Sequence, residues 1–339
     1  MDPCLSDLIL PGILVLQLKR IGDAVLTAPA LGALRQAMPD AHITLVLAGG
    51  AGELGPLFAM VDEVLVWRGG GFNLPLLKRV RGIRPDLVLD YTGTDRSAFL
   101  SLFSGAARRV GYAKFTDSFL RRTACTTTCQ ALVRDLHTID FHHALASAAG
   151  IEAPEVPDAG HLVLSSEMDL SGLPEDYIAV HPGTAREEKF WPPAHWAAVL
   201  DHWHTEHGVP LILTGGGWDF ERNQIAKILA LTKAPVLDLS GKLGLEQLAG
   251  TIAGARLAVT VDTAAMHLAA AFLVPQVALF GPTNPFHWAP RQPNAIVLQS
   301  GVPEGEPPMP RQVGGPMSQL PWQTVAAAAD RLLGSAGSA

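Results

Sequence analysis

Lys19-Arg20-Ile21-Gly22-Asp23 stands directly after the apolar run Ile13–Gln17 and puts a carboxylate where a helix begins. A carboxylate in that position can cap free backbone N–H groups in the favourable field of a helix N-terminus. It can equally act as a general base that takes a proton from an attacking hydroxyl. Position alone leaves both readings of Asp23 open. Lys19 and Arg20 read as solvated or anion-contacting rather than catalytic. The corner lacks the G-x-G-x-x-G pattern, which argues against a dinucleotide as its ligand.

Three further corners favour phosphate. In His181-Pro182-Gly183-Thr184 and the residues up to Lys189-Phe190-Trp191-Pro192, Gly183 and Thr184 offer backbone and hydroxyl hydrogen bonds. Lys189 adds a mobile positive charge, although it could instead pair at the surface with Glu187 or Glu188. Thr214-Gly215-Gly216-Gly217 allows close approach of a ligand to the backbone, with Glu221 early in the following helix. Asp262-Thr263-Ala264 joins an apolar run to a small-residue helix whose open N-terminus can hold a pyrophosphate. His267, one turn beyond Thr263, could reach the same ligand or be a buried structural histidine. Gly281-Pro282-Thr283-Asn284-Pro285 is a rigid turn at the border of that crevice. An acidic corner in the first half and phosphate-friendly corners in the second suit a transferase whose donor and acceptor dock on different domains.

The elements that must position these corners are short apolar runs alternating with helical segments. Ile13–Gln17, Ile43–Leu47, Val64–Val66 and Leu87–Asp90 read as strands in the first half. Tyr177–His181, Pro210–Thr214, Val236–Leu239, Leu257–Val261 and Gln276–Phe280 do so in the second. Helical periodicity marks Ala28–Met38, Ala194–His207, Phe220–Leu231, Leu245–Ala253 and Ala264–Ala271. Continuous apolar strands bounded by helices indicate an α/β fold with parallel sheets covered on both faces. A Pro/Gly-rich stretch over 150–174, containing Pro154, Pro157, Gly160, Gly172 and Pro174, separates the halves. Residues 301–321 form a second such stretch before an Ala-rich helix around Trp322–Leu333.

Composition narrows the partners. The 339 residues are 48% apolar and 17% charged, enough for two domains each with its own core. Residues 1–165 carry 15 basic and 16 acidic side chains and the remainder 10 and 16, so neither half has the basic excess of a nucleic-acid binder. Cys4, Cys125 and Cys129 contain no C-x-x-C pair, and the 12 histidines supply no H-x-x-x-H or H-E-x-x-H spacing. A disulfide framework and a zinc site are therefore not expected, and a reducing compartment is. Leu8–Leu18 follows acidic residues and precedes Lys19-Arg20, the reverse of a secretion signal. Leu257–Phe280 is interrupted by Asp262, His267 and Pro275, a poor membrane span.

Taken in order, Ile21-Gly22-Asp23 with Thr27-Ala28-Pro29, Pro182-Gly183-Thr184 with Lys189-Phe190-Trp191-Pro192, Gly241-Lys242 with Leu245, Asp262-Thr263 with His267-Leu268-Ala269-Ala270-Ala271, and Phe280–Pro285 resemble glycosyltransferase family 9, the heptosyltransferases, over about residues 13–290. The resemblance implies a GT-B fold: two Rossmann-like domains with parallel sheets facing a central cleft. An acceptor domain would span residues 1–165 and a donor domain 166–320, with a helix in 321–339 that could cross back to the first. It also implies inverting, metal-independent transfer of a heptosyl group from ADP-heptose to a lipopolysaccharide inner-core acceptor, without a cofactor. Asp23 would then match the general base, and Thr184 and Lys189 the donor-phosphate contacts. Glu221 would match the acid on the ribose, and Lys242 and Leu243 the backbone against adenine. Asp262, Thr263, Ala264 and His267 would complete the donor pocket. Arg96, in Leu89–Ser97, would meet an acceptor phosphate or carboxylate. Partners would be the nucleotide sugar and a lipid-linked or oligosaccharide acceptor, in the cytoplasm, with room for peripheral contact at the inner membrane. Ala264 departs from the glycine frequent in the family, and Pro303–Pro316 matches none of its motifs. Alternatives are a GT-B transferase or epimerase using another nucleotide sugar, and a non-catalytic sugar-nucleotide-binding protein.

Overall fold

The structure, a computed structural model, describes residues 12–69, 73–151, 159–165, 168 and 170–335. Cys4, the start of the Leu8–Leu18 run, and Pro154 and Pro157 lie outside the described residues. The chain divides into two compact units, Met1–Val163 and Leu164–Ala339.

In the first unit, strands β1 (Gly12–Gln17), β2 (His42–Ala48), β3 (Glu63–Trp67), β4 (Leu87–Asp90), β5 (Arg108–Tyr112) and β6 (Thr127–Cys129) form one parallel sheet. Its spatial order is β3-β2-β1-β4-β5-β6. Helices α1 (Ile21–Ala37), α2 (Leu74–Ile83), α3 (Asp95–Ser104), α4 (Phe119–Ala124) and α5 (Thr138–Ala148) link and cover the strands. Ile13, Leu14, Val15 and Leu16 of β1 are completely buried, as a strand covered on both faces requires. α1 begins seven residues before the periodic segment Ala28–Met38, because Gly22 and the internal Pro29 obscure its first turns. β5 and β6 escape the pattern of apolar runs: one opens with two arginines and the other is only three residues long.

In the second unit, β7 (Ile178–His181), β8 (Leu211–Leu213), β9 (Val236–Asp238), β10 (Leu257–Val261), β11 (Gln276–Phe280) and β12 (Ala295–Gln299) are again parallel. Their order, β12-β11-β10-β7-β8-β9, repeats that of the first unit when counted from the unit's own first strand. α6 (Pro193–His207), α7 (Asp219–Leu231), α8 (Leu245–Ala253), α9 (Ala264–Ala271), α10 (Pro285–Trp288) and α11 (Trp322–Ser335) accompany it.

Whether the terminal helix crosses back to the first half was open in the sequence. Val325, Ala328 and Ala329 of α11 are completely buried in the second unit's core, with Trp191, Trp196 and Trp203. Just ahead of α11, the Trp191 Nε1–H donates to the Leu320 carbonyl at 2.9 Å, and the Gln224 amide donates to the Trp191 carbonyl at 2.7 Å. Among the described residues no helix is long and apolar enough to cross a membrane.

Leu333 is buried in this core. Leu333→Ala should therefore destabilise the second unit by roughly 2–5 kcal/mol through lost burial and the cavity left behind. Chemical denaturation of the purified variant checks this, and an unchanged midpoint would remove α11 from the core.

Candidate active site

A parallel sheet in this order has a switch point between its first and fourth strands, where the connecting helices leave to opposite faces. Ligands bind beyond the carboxyl ends of the strands there. In the second unit that point lies between β7 and β10. β7 runs into the loop 182–192, and β10 leads into Asp262 and Thr263. Lys189 closes a short 3-10 turn, Glu187–Lys189. Its ammonium bridges the switch point, donating to the Asp262 carboxylate at 2.7 Å and to the Asp262 carbonyl at 3.3 Å. The two side chains are only 15% and 9% exposed, so the pair is shielded from water on most sides. The surface pairing with Glu187 or Glu188 is thus not the arrangement found. Arg186 lies 3.7 Å from Glu188 instead.

Asp262 leads directly into α9, whose N-cap Thr263 gives no side-chain cap. The helix N-terminus thus faces the same crevice with its N–H dipoles, beside an ammonium and a carboxylate. His267, one turn along, is buried. Burial lowers its pKa to about 4, with Asp262 opposing and Lys189 adding to the shift, so the imidazole is neutral at pH 7. His181, at the end of β7, is likewise held neutral by burial, at about 4. Its Nδ1 lies 2.8 Å from the Thr214 hydroxyl, joining the ends of β7 and β8. Thr184 is buried in the same loop as Lys189.

Glu221 sits in the first turn of α7. A β-carbon placed on Gly216 would lie 2.2 Å from its Oε2, and one on Gly183 would lie 2.8 Å from Oε1. Glycine at both positions is what lets this carboxylate nestle against two backbones. Oε2 has no hydrogen-bond partner among the described residues, and burial raises the Glu221 pKa despite the Trp218 N–H. A buried acceptor of this kind takes a donor from outside the chain, such as a water or a ligand hydroxyl. Lys242 and Leu243 occupy the neighbouring β9–α8 corner. Gly241, at φ 66°, donates to the Gly215 carbonyl at 2.9 Å and so lays the two loops together. The Lys242 ammonium folds back onto the Asp238 carbonyl at 2.5 Å and remains exposed.

The first unit repeats the theme with reversed emphasis. Asp23 lies in the first turn of α1 and takes the Arg20 backbone N–H, which is its helix-end role. Burial nonetheless raises its pKa, with the neighbouring Lys19 ammonium pulling the other way. Lys19 was expected in solvent or on an anion. It is partly buried, near enough to Asp23 and Asp90 to feel both charges, and packs 5.2 Å over the Phe115 ring. Desolvation lowers its pKa, and both carboxylates oppose that shift. Asp90 ends β4, is buried, and accepts the Thr92 and Gly93 N–H groups at 2.8 and 3.1 Å. Gln17 and Thr27 fix the turn that carries Asp23. The Gln17 amide donates to the Thr27 hydroxyl at 2.8 Å, which donates to the Asp23 carbonyl at 2.8 Å. His142 packs behind them, neutral at a pKa of about 3 because of burial.

The sequence reading missed Asp90 and the role of Lys19. Their signal was the placement of Asp90 at the end of the fourth strand, opposite a lysine after the first. Arg96 is exposed near the start of α3, its guanidinium 5.5 Å over the Trp67 ring. Three other arginines of the first unit have partners within it. Arg108 bonds the Ala149 carbonyl, Arg109 the carbonyls of Ala124 and Ala106, and Arg121 pairs with Asp95 and Asp117.

Two Rossmann-type units of one strand order make up the GT-B fold. The sequence profile of glycosyltransferase family 9 (heptosyltransferase) matches residues 74–310, and the chain belongs to that family. It is 25% identical to lipopolysaccharide heptosyltransferase 3 of Escherichia coli, over 93% of this chain and 97% of that one. The crystal structure of a glycosyl transferase family 9 protein from Veillonella parvula is similar at a TM-score of 0.82, with 25% identity, covering 96% and 97% of the two chains. That of E. coli ADP-heptose lps heptosyltransferase II shares the fold at a TM-score of 0.78 and 22% identity, over 96% of this chain and 100% of that one. The chain is a glycosyltransferase.

Two outcomes follow for the second unit. Asp262→Asn removes the carboxylate that holds the shielded Lys189 ammonium and should cost roughly 1–3 kcal/mol in denaturant unfolding; no loss would mean that water already satisfies the lysine. The second concerns pH. His181 and His267 titrate near 4 when folded, against 6.5 for an ordinary histidine. The unfolded chain therefore takes up protons that the native state refuses, and stability present above pH 6.5 is lost as pH falls towards 4. Glu221, with its raised pKa, acts in the opposite sense at the acid end of this window. Unfolding midpoints at pH 7.5 and 5.5 should show the decline, and His267→Gln should flatten it.

Proposed function

We propose that this chain is an inverting heptosyltransferase of lipopolysaccharide inner-core assembly, moving a heptosyl group from ADP-heptose to a sugar hydroxyl without a metal. The observation that carries the reading is the Lys189–Asp262 pair at the second switch point, beside the open N-terminus of α9. A diphosphate leaving group gathers negative charge as its bond to the anomeric carbon breaks. A fixed ammonium and a helix dipole in a shielded crevice can stabilise that charge without reorganising. Family membership and the names of the relatives favour heptose and an ADP donor.

Donor roles follow the corners. Lys189, Thr184 and the Thr263–Ala264 helix start would meet the phosphates, with Asp262 and neutral His267 shaping the pocket. The partnerless oxygen of Glu221 would accept a ribose hydroxyl. The Lys242–Leu243 backbone would border the adenine. On the first unit Asp23 would take the proton of the attacking hydroxyl as the new bond forms from the face opposite the leaving diphosphate. Its raised pKa makes it a stronger base than an ordinary carboxylate, and the Lys19 charge opposes that rise. Arg96, exposed on the same unit, is available to an acceptor phosphate or carboxylate. Contact with the inner membrane belongs to the same proposal, through a lipid-linked acceptor.

Asp23→Asn should lower transfer by roughly 100- to 10,000-fold while leaving ADP affinity unchanged, measured by ADP release and calorimetry. Transfer within tenfold of wild type would remove Asp23 as the base. Transfer in the wild type should fall on the acid side as Asp23 takes its proton. Lys19→Met removes the charge that lowers the Asp23 pKa, so this acid limb should move to higher pH in the kcat/KM profile. An unmoved limb would assign it to another group.

A further inference from the structure

His202 and His207, in the last turns of α6, and Asp330 of α11 converge on one point. His202 Nε2 lies 2.9 Å from Asp330 Oδ2 and His207 Nε2 lies 2.8 Å from Asp330 Oδ1. One ligand-type atom from each of the three residues lies within 4.8 Å of those from the other two. Five residues along a helix turn a side chain through about 140°, so two histidines at this spacing do not share a face by default. They meet here because Asp330 of another helix stands between them, with the His202 ring also 6.2 Å from the Trp322 ring of α11.

We propose that His202, His207 and Asp330 form a binding site for a divalent transition-metal ion of the zinc type, which staples α11 to α6. Two imidazole nitrogens and one carboxylate oxygen are a donor set that zinc accepts, with water at the fourth position. Magnesium and calcium require more oxygens than are offered. The three side chains are 26%, 28% and 34% exposed, which gives an ion access and leaves the ligands free to spread to metal–ligand distances of about 2.0–2.2 Å. The carbonyl end of α6, which closes at Gly208 in the left-handed conformation, adds a field that favours a cation.

The site is structural rather than part of the transfer chemistry. α6 leaves the carboxyl end of β7 and returns to the amino end of β8, so its last turn lies at the amino edge of the sheet. Lys189 and Asp262 lie at the opposite, carboxyl edge. The proposal is thus compatible with metal-independent transfer and does not rest on it.

The test uses the full chain without a histidine tag, freed of metal by EDTA and titrated with zinc chloride. One zinc per chain by calorimetry is expected. The melting temperature should rise by about 5 °C at free zinc a hundredfold above its Kd, and magnesium should have no effect. Asp330→Asn and His207→Ala should each abolish the shift relative to their own metal-free melting points. Two variants are used so that one remains readable if the other fails to fold by circular dichroism. No shift in the wild type would overturn the proposal and leave two histidine–aspartate hydrogen bonds. A shift retained in the folded variants would overturn it too, by placing the zinc on other histidines.

Discussion

A parallel sheet collects charge at one place. Where the helices after its first and fourth strands leave to opposite faces, the strand ends open a crevice lined by helix N-termini. An ionised side chain there gives up water but keeps strong partners. The second unit answers this constraint with Lys189 held on Asp262 across β7 and β10. The first answers it more loosely, with Lys19 after β1 in the field of Asp23 and Asp90. The same backbone problem has been met twice with a lysine after the first strand and an aspartate at the end of the fourth. Only the surplus differs: the first unit adds a second carboxylate, and the second adds a glycine-rich corner with Glu221.

Around these pairs the polar groups are arranged to stay uncharged. His142, His181 and His267 are each buried deeply enough to remain neutral at pH 7. A neutral imidazole can join strand ends, as His181 does with Thr214, without adding a charge that would compete for the crevice. The price in acid stability is accepted for a site whose electrostatics are set by a few ionised groups.

Much of the fold was legible because buried parallel strands must be continuously apolar. Leu257–Val261 and Gln276–Phe280 have the limits that their composition suggests, and so do the helices Leu245–Ala253 and Ala264–Ala271. Arg108–Tyr112 was not legible, because its arginines find their partners only in folded carbonyls such as that of Ala149, 41 residues away. The same limit applied to the site. Glu187 and Glu188 offered Lys189 plausible neighbours, whereas its partner is 73 residues distant. His202 and His207 show no metal spacing on one helix, and Asp330 stands 128 residues beyond the first of them. Residue types and corners could be read from local order, whereas pairings that close over long loops required the fold.

The placement of α11 bears on how the chain is made. Its valine and alanines fill the second unit's core beside tryptophans encoded more than a hundred residues earlier. A ribosome releases the segment up to Val163 well before this helix, and domains fold as units in that order. The first unit can therefore settle during synthesis. The second must wait, with Trp191, Trp196 and Trp203 incompletely covered, until residues 322–335 emerge. That interval is when this chain is most exposed to aggregation and to chaperones.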